Sequence, residues 1–110
     1  MNLDIRHEQS EGAELVYVTG EIDAYTAPKL RSTLTPLAEQ GSNKIIVDLT
    51  NVQYIDSTGL GIFVGILKLT DSKDSSLVLT GLSERVHRLF TITGLDEVIQ
   101  IEPIKGEEAK

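Results

Sequence analysis

Apolar and polar residues follow two different periods along the chain. Short stretches in which the two kinds alternate predict strands at residues 3–7, 14–19, 44–49, 77–79 and 98–101. Stretches in which apolar residues recur every three or four positions predict helices at residues 27–40, 58–70 and 84–92. The order β-β-α-β-α-β-α-β predicts an α/β domain, with a mixed sheet of four to five strands, parallel later strands and helices packed on the sheet.

The first predicted helix has recognisable start and stop signals. Thr26 is expected to cap it, Pro28 suits its first turn, and Gly41 is expected to end it. Pro36 lies inside the helix and is expected to kink it or loosen its last turn. Five apolar residues share one helical face and are predicted to be buried: Ala27, Leu30, Leu34, Leu37 and Ala38.

The middle of the chain is its most apolar part. Residues 44–49 form the most apolar strand and are predicted to lie at the centre of the sheet, and residues 51–55 are predicted to be a connector. The following helix, residues 58–70, is apolar almost all round and has Lys68 as its single charge. A helix of that kind is expected to be buried on several sides.

Length and composition indicate one small soluble domain. The chain has 110 residues, of which 40% are hydrophobic, enough for one core of Ile, Leu and Val. We expect residues 1–110 to form a single domain, with a core of about residues 3–101 and a frayed acidic tail at residues 102–110.

Charge and hydropathy argue against several kinds of partner. The net charge is −7 and no basic run is present, so direct nucleic-acid binding is not expected. The chain has no cysteine, which excludes disulfides, thiolate metal sites and cysteine nucleophiles. The N-terminus does not resemble a signal peptide, and the longest apolar stretch, residues 60–67, is too short to span a bilayer. We therefore expect a cytoplasmic protein without a membrane partner.

The segment Asp56–Gly61 is the candidate functional site. It places two hydroxyls and two glycines where a loop enters the apolar helix. In a structural interpretation, Asp56 or Ser57 caps the helix and the glycines allow close packing. In a functional interpretation, Ser57 is an exposed hydroxyl at a helix start, where a phosphate would be stabilised by the helix dipole and free N–H groups. The two interpretations are compatible.

Enzymatic interpretations of this segment fit less well. A nucleophile elbow requires Gly-x-Ser-x-Gly, but Ile55 stands where the first glycine should be. His7 and His87 are both expected at the surface, and neither is an evident partner for Ser57. An aspartic-protease triplet is interrupted by Thr58. No catalytic residue is therefore expected.

Cofactor and metal sites are also not expected. Gly59, Gly61 and Gly65 resemble a loose dinucleotide fingerprint, but the third glycine is one residue late and the preceding strand is predicted to end far upstream, near residue 49. Gly65 is better explained by close packing of the helix on the sheet. An acidic magnesium pocket would need Asp23, Asp48 and Asp56 to converge, and nothing in the sequence predicts that.

Three strings of residues resemble the anti-anti-sigma factors, also called anti-sigma factor antagonists, which are single-domain STAS proteins. The strings are residues 20–23 (Gly-Glu-Ile-Asp), residues 56–61 (Asp-Ser-Thr-Gly-Leu-Gly) and residues 89–95 (Leu-Phe-Thr-Ile-Thr-Gly-Leu). The resemblance extends from about Leu3 to Ile101. The two ends of the first helix are most similar to the general-stress type, with the sporulation type a close second.

The resemblance implies a partner-switching role in a bacterium. An unphosphorylated antagonist of this family binds an anti-sigma factor that is also a serine kinase, and so frees the sigma factor. The kinase uses ATP to phosphorylate the antagonist, which dissociates until a serine/threonine phosphatase of the metal-dependent class resets it. By motif position Ser57 matches the phosphoacceptor, with Thr58 as a minor alternative, and Asp23 matches a loop aspartate that faces the kinase. The implied partner-binding residues are Asp23, Asp56, Ser57, Thr58, Gly59, Leu60 and Gly61.

Two other classes of function remain open at this stage. The chain could be a ligand-binding or scaffolding STAS module of a stress-sensing assembly, or a hydrolase that uses Ser57, against which the missing histidine argues. The sequence also leaves open whether the protein is a monomer or a weak dimer.

Overall fold

A computed structural model of the protein describes residues 2–102. Helices α1, α2 and α3 span Ala27–Gln40, Ser57–Ser72 and Glu84–Ile92, and a 3₁₀ turn spans Leu95–Glu97. The five strands β1 to β5 span Leu3–Ser10, Ala13–Ile22, Lys44–Ile55, Ser76–Thr80 and Gln100–Glu102. The predicted order of strands and helices is confirmed. Most of the predicted acidic tail lies outside the described residues.

The strands form one mixed sheet in the order β1-β2-β3-β4-β5. β1 pairs with β2 in the antiparallel direction, and the remaining neighbours are parallel. The predicted fold class and the central position of β3 are therefore confirmed. Because β2, β3 and β4 run in parallel, their carboxyl ends lie at one edge of the sheet, and a helix follows each of them.

The core lies between one face of the sheet and the three helices. The five residues of α1 that were predicted to share a buried face are all buried. From α2 and α3, Phe63 and Phe90 enter the core with their ring centres 6.1 Å apart. On the strands, alternate residues such as Val16 and Val47 are fully buried. Among residues 2–102 no helix combines the length and the apolar character needed to cross a bilayer.

β3 is longer than the sequence predicts. It ends at Ile55, so residues 51–55, predicted to be a connector, are part of the strand. Val52 and Ile55 are buried and pair with Gly20 and Ile22 of β2. Two shifts of register interrupt the pairing over this stretch, and they break the alternation by which a strand is recognised. The argument that the strand ends too far upstream for a dinucleotide site is therefore wrong, and only the misplaced third glycine still counts against that site.

Smaller differences concern the ends of other elements. α1 matches the prediction at this end: it runs through Pro36 and ends at Gln40, with Gly41 as its C-cap. β5 begins at Gln100, because the chain before it forms the 3₁₀ turn, and Glu102 belongs to this strand rather than to the tail. α2 begins at Ser57, one residue earlier than predicted, and ends at Ser72.

The hairpin of β1 and β2 contains a buried carboxylate. Glu14 is 4% exposed, and its two oxygens bond separately to the ring of His7 and to the amide of Gln9. Burial alone would raise the pKa of Glu14, but the hydrogen bonds from Gln9 and His7 and the charge of the His7 ring outweigh it. The pKa of Glu14 is therefore held below its ordinary value of 4.5.

This lowered pKa predicts a loss of stability in acid. A carboxyl group whose pKa is lower in the folded state stabilises that state above its unfolded pKa, and the contribution disappears as the pH falls through the folded pKa. Urea unfolding between pH 7 and pH 3 should therefore show the wild type losing stability below about pH 4.5. Glu14→Gln should lose less over the same interval, whereas Glu11→Gln, at an exposed neighbouring site, should follow the wild type. Parallel curves for the wild type and Glu14→Gln would contradict the prediction.

Candidate functional site

The two motifs singled out in the sequence meet at the edge of the sheet where β2 and β3 end. Ile22, the last residue of β2, pairs with Ile55, the last residue of β3. The backbone N–H of Asp56 donates to the carbonyl oxygen of Ile22 over 3.1 Å. The loop of residues 21–26, here called the β2–α1 loop, therefore lies directly beside the first turn of α2.

Asp56 is the residue that caps α2. Its backbone is extended, and its Oδ1 accepts a hydrogen bond from the N–H of Gly59 over 3.1 Å. Ser57 is then the first residue of the helix. Since Asp56 makes the cap, the hydroxyl of Ser57 is not needed for it, and both Ser57 and Thr58 are exposed. The expected exposure of Ser57 is therefore observed, and of the two candidate caps the structure selects Asp56.

The glycines of α2 differ in what surrounds them. A Cβ on Gly59 would lie 2.6 Å from Cγ2 of Ile22 and 2.7 Å from Cγ1 of Ile55, so this glycine is required for close packing. A Cβ on Gly61 or Gly65 would meet nothing within 4 Å. The expectation that Gly65 allows close packing on the sheet is therefore wrong: it is exposed, and with Gly61 it borders a groove between α1 and α2. Leu60, between the two kinds of glycine, is buried.

Asp23 is turned towards its own loop. It is 8% exposed, and its Oδ1 accepts hydrogen bonds from the N–H groups of Tyr25, over 2.9 Å, and of Thr26, over 3.0 Å. The backbone carbonyl of Asp23 accepts from the N–H of Ala27 over 2.8 Å. The carboxylate thus fixes the conformation of the β2–α1 loop.

Thr26 occupies the N-cap position of α1, as predicted, but its side chain makes no capping hydrogen bond. Its hydroxyl accepts from the N–H of Asp23 over 2.9 Å and donates to the carbonyl of Glu21 over 2.8 Å. The hydroxyl is therefore fully committed to the loop that precedes the helix. The reason is that Thr26 is buried at the junction and has helical backbone angles, whereas a capping residue is usually extended.

The structure adds residues that the sequence did not single out. Tyr25, in the middle of the β2–α1 loop, is 86% exposed. Tyr54, at the end of β3, and Arg85, at the start of α3, border an open groove together with Glu21, Gln53 and Asp23. An aromatic residue between turn-forming residues was the available signal for Tyr25. No local sequence pattern marks Arg85 as a site residue, because only the tertiary fold brings the start of α3 to the edge of the sheet where β2 and β3 end.

The other aspartates and His7, which the sequence analysis considered, make local hydrogen bonds. Within residues 2–102 no three His, Cys, Asp or Glu side chains are arranged to hold a metal ion. Asp48 accepts from the N–H of Thr50 over 2.9 Å, as Asp23 and Asp56 do from N–H groups of their own turns. His7 is bonded to Glu14, close to where β2 begins, whereas Ser57 follows the other end of the sheet.

Comparison with known proteins places the chain in a family. Residues 4–108 match the STAS domain family. The chain belongs to that family. This STAS protein is also 45% identical to the anti-sigma-B factor antagonist of Listeria monocytogenes over 108 residues, which cover 97% of this chain and 95% of that one. It is 46% identical over 101 residues to the anti-sigma-B factor antagonist of Staphylococcus aureus, with 92% and 94% covered.

Solved structures agree with this assignment. The STAS protein matches the crystal structure of a putative anti-sigma factor antagonist from Thermotoga maritima with a TM-score of 0.84 and 26% sequence identity. The match covers 96% of this chain and 90% of that one. The resemblance to anti-sigma factor antagonists that was drawn from three short strings is therefore confirmed over nearly the whole chain.

Proposed function

We propose that this STAS protein is an anti-sigma factor antagonist that is switched by phosphorylation of Ser57. In its unphosphorylated form it binds an anti-sigma factor with serine kinase activity and so releases a sigma factor. The relatives at about 45% identity that are anti-sigma-B factor antagonists support this role. The observation that supports the switch is the position of Ser57: this residue is exposed, it is the first residue of α2, and the helix is capped by Asp56 instead.

The charge of a phosphate explains how one small group can end binding. A phosphoserine carries about −1.5 to −2 charges at neutral pH. On Ser57 it would stand next to the carboxylate of Asp56, and both would have to lose water in a fitted interface. A loss of about 3 kcal/mol weakens binding more than a hundredfold. Electrostatic repulsion and desolvation at the contact are sufficient, without refolding of the domain.

The predicted partner-binding residues divide into two groups. Ser57, Thr58 and Gly61 are exposed and are proposed to touch the kinase, with Thr58 as a minor phosphate acceptor. The others are partly or largely buried and are proposed to shape the contact surface from beneath: Asp23, Asp56, Gly59 and Leu60. Small size at Gly61 leaves room for an approaching partner, since no atom lies within 4 Å of where its Cβ would be.

The rest of the cycle follows from this role. The kinase supplies the catalytic machinery and the ATP, so the antagonist needs no catalytic residue or cofactor of its own and acts as a single binding domain of residues 1–110. A metal-dependent serine/threonine phosphatase removes the phosphate and resets the switch. Because sigma factors act on RNA polymerase, the proposed site of action is the cytoplasm, where the antagonist works as a monomer or weak dimer.

Phosphorylation by the cognate kinase tests the proposal. When the protein is mixed with the anti-sigma factor kinase of its own organism and ATP, mass spectrometry should find one phosphate per chain, on Ser57. Thr58→Ala should be phosphorylated like the wild type, and Ser57→Ala should not. Full phosphorylation of Ser57→Ala would overturn the residue assignment. Tight binding of a nucleotide or lipid without any effect of the kinase would favour a ligand-binding module instead.

A further inference from the structure

The β2–α1 loop is held by an interlocking set of hydrogen bonds but displays a large aromatic side chain to solvent. Asp23 binds the N–H groups of Tyr25 and Thr26, and the Thr26 hydroxyl bridges the N–H of Asp23 and the carbonyl of Glu21. Tyr25 itself is 86% exposed, the highest value for a large hydrophobic residue within residues 2–102. A rigid loop that exposes an aromatic ring has already lost the backbone entropy that binding would otherwise cost.

The same hydrogen bonds separate the roles of Asp23 and Tyr25. The Asp23 side chain is largely buried, and its Oδ1 is occupied by two N–H groups of its own loop. Little of the carboxylate is left for a partner to reach. Tyr25, in contrast, has its backbone N–H bound by Asp23, while its side chain is exposed to solvent.

The position of Tyr25 places it on the same edge of the molecule as Ser57. The loop that carries it begins at β2, and the carbonyl of Ile22 is bonded to the N–H of Asp56. On its other side Tyr25 borders a groove formed by the start of β1 and the start of α1, in which Lys29 Nζ donates to the carbonyl of Leu3 over 2.7 Å. The loop therefore extends the proposed kinase-binding surface from α2 towards β1.

We propose that Tyr25 is the side chain that anchors this loop in the partner kinase, and that Asp23 acts on binding by positioning Tyr25. The inference rests on the proposed function, because it requires that the edge around Ser57 faces the kinase. The Tyr25 ring would enter a pocket on the kinase that is lined by aliphatic side chains and holds an arginine or lysine against the face of the ring. Charge complementarity favours a cation, because the acidic side chains of the loop, of Asp56 and of the two bordering grooves outnumber the basic ones, Lys29 and Arg85, and the whole chain carries −7.

Two substitutions of Asp23 distinguish positioning from direct contact. Asp23→Asn removes the charge but keeps an oxygen that can accept the same N–H groups. Asp23→Ala removes both. If Asp23 positions the loop, Asp23→Asn should bind the kinase within about threefold of the wild type, and Asp23→Ala should bind much more weakly.

The experiment measures binding of the full chain to its anti-sigma factor kinase by calorimetry, with ADP present and no phosphate transfer. Tyr25→Ala should weaken binding by about thirtyfold or more, with its melting temperature unchanged because the ring is exposed. Tyr25→Phe should stay close to the wild type. Ile92→Ala is the matched control: it removes another exposed apolar side chain, 72% exposed at the C-terminal end of α3, and should not change binding.

The possible outcomes separate this inference from the proposed function. Wild-type binding of Tyr25→Ala would overturn the anchor, and equal losses in Asp23→Asn and Asp23→Ala would overturn the positioning role in favour of a direct charge contact. In both cases wild-type chains would still bind the kinase and receive phosphate on Ser57, so the proposed function would stand. If the wild type neither binds the kinase nor is phosphorylated by it, the proposed function fails and the anchor fails with it.

Discussion

Ser57→Asp is expected to bind the anti-sigma factor kinase about a hundredfold more weakly than the wild type, whereas Ser57→Ala keeps its affinity even when ATP is present. The aspartate brings a permanent negative charge to the first residue of α2, beside the carboxylate of Asp56. That charge must be desolvated and faces repulsion in the interface, as the phosphate would. Alanine cannot be phosphorylated, so its complex with the kinase should persist.

Titration calorimetry with the kinase, carried out with ADP and then with ATP, measures both effects. Ser72→Asp is a matched control, because it adds the same charge at the opposite end of the same helix. With a rise of about 1.5 Å per residue, the two ends of this helix lie more than 20 Å apart, beyond the screening length at physiological salt. If Ser72→Asp weakened binding as much as Ser57→Asp, net charge rather than position would control the switch, and the proposal would fail.

Gly59→Ala is expected to lower the free energy of unfolding by about 1–3 kcal/mol. The added methyl group would lie 2.6 Å from Ile22 and 2.7 Å from Ile55, two buried side chains at the ends of adjacent central strands. Because both isoleucines are buried, the methyl group can be accommodated only by a shift of α2 or a rearrangement of the core.

Gly61→Ala provides the matched comparison two residues further along the same helix. A Cβ there meets nothing within 4 Å, so the better helix propensity of alanine should stabilise the protein by about 0.5–1 kcal/mol. Urea unfolding of the two variants and the wild type measures both values. A Gly59→Ala variant as stable as Gly61→Ala would show that the close contact between α2 and the sheet is not required.

The parts of the fold with regular periodicity could be predicted from the sequence. The α1 face of Ala27, Leu30 and Leu34 is buried as the spacing indicates, because a helix that covers a sheet needs a continuous apolar stripe. The second half of β3 could not be predicted, because its register shifts place the buried Val52 and Ile55 three residues apart. Thr26 shows a similar limit: its hydroxyl has two possible uses, and burial against Glu21 and Asp23 decides between them.

Candidate site residues could be predicted from the sequence where a local sequence pattern marked them. The change from polar residues to an apolar helix marked Asp56 and Ser57, and the cap geometry explains why the serine is exposed. Gly65 was misinterpreted, because a glycine that allows contact and a glycine that leaves a surface open look the same in a sequence. The exposure of Tyr25 depends on hydrogen bonds within its loop, which only the folded structure defines.

The hydrogen bond between Asp56 and Ile22 joins two segments that α1 and β3 separate along the chain. Parallel pairing of β2 with β3 requires closure of that long loop, and the entropy cost of closure must be met before the non-local contacts stabilise the chain. An unfolded chain therefore contains the serine but lacks the surface around it, because that surface is built from segments that are distant in sequence. The recognition by the kinase proposed above would consequently depend on the tertiary fold, and not on the sequence around Ser57 alone.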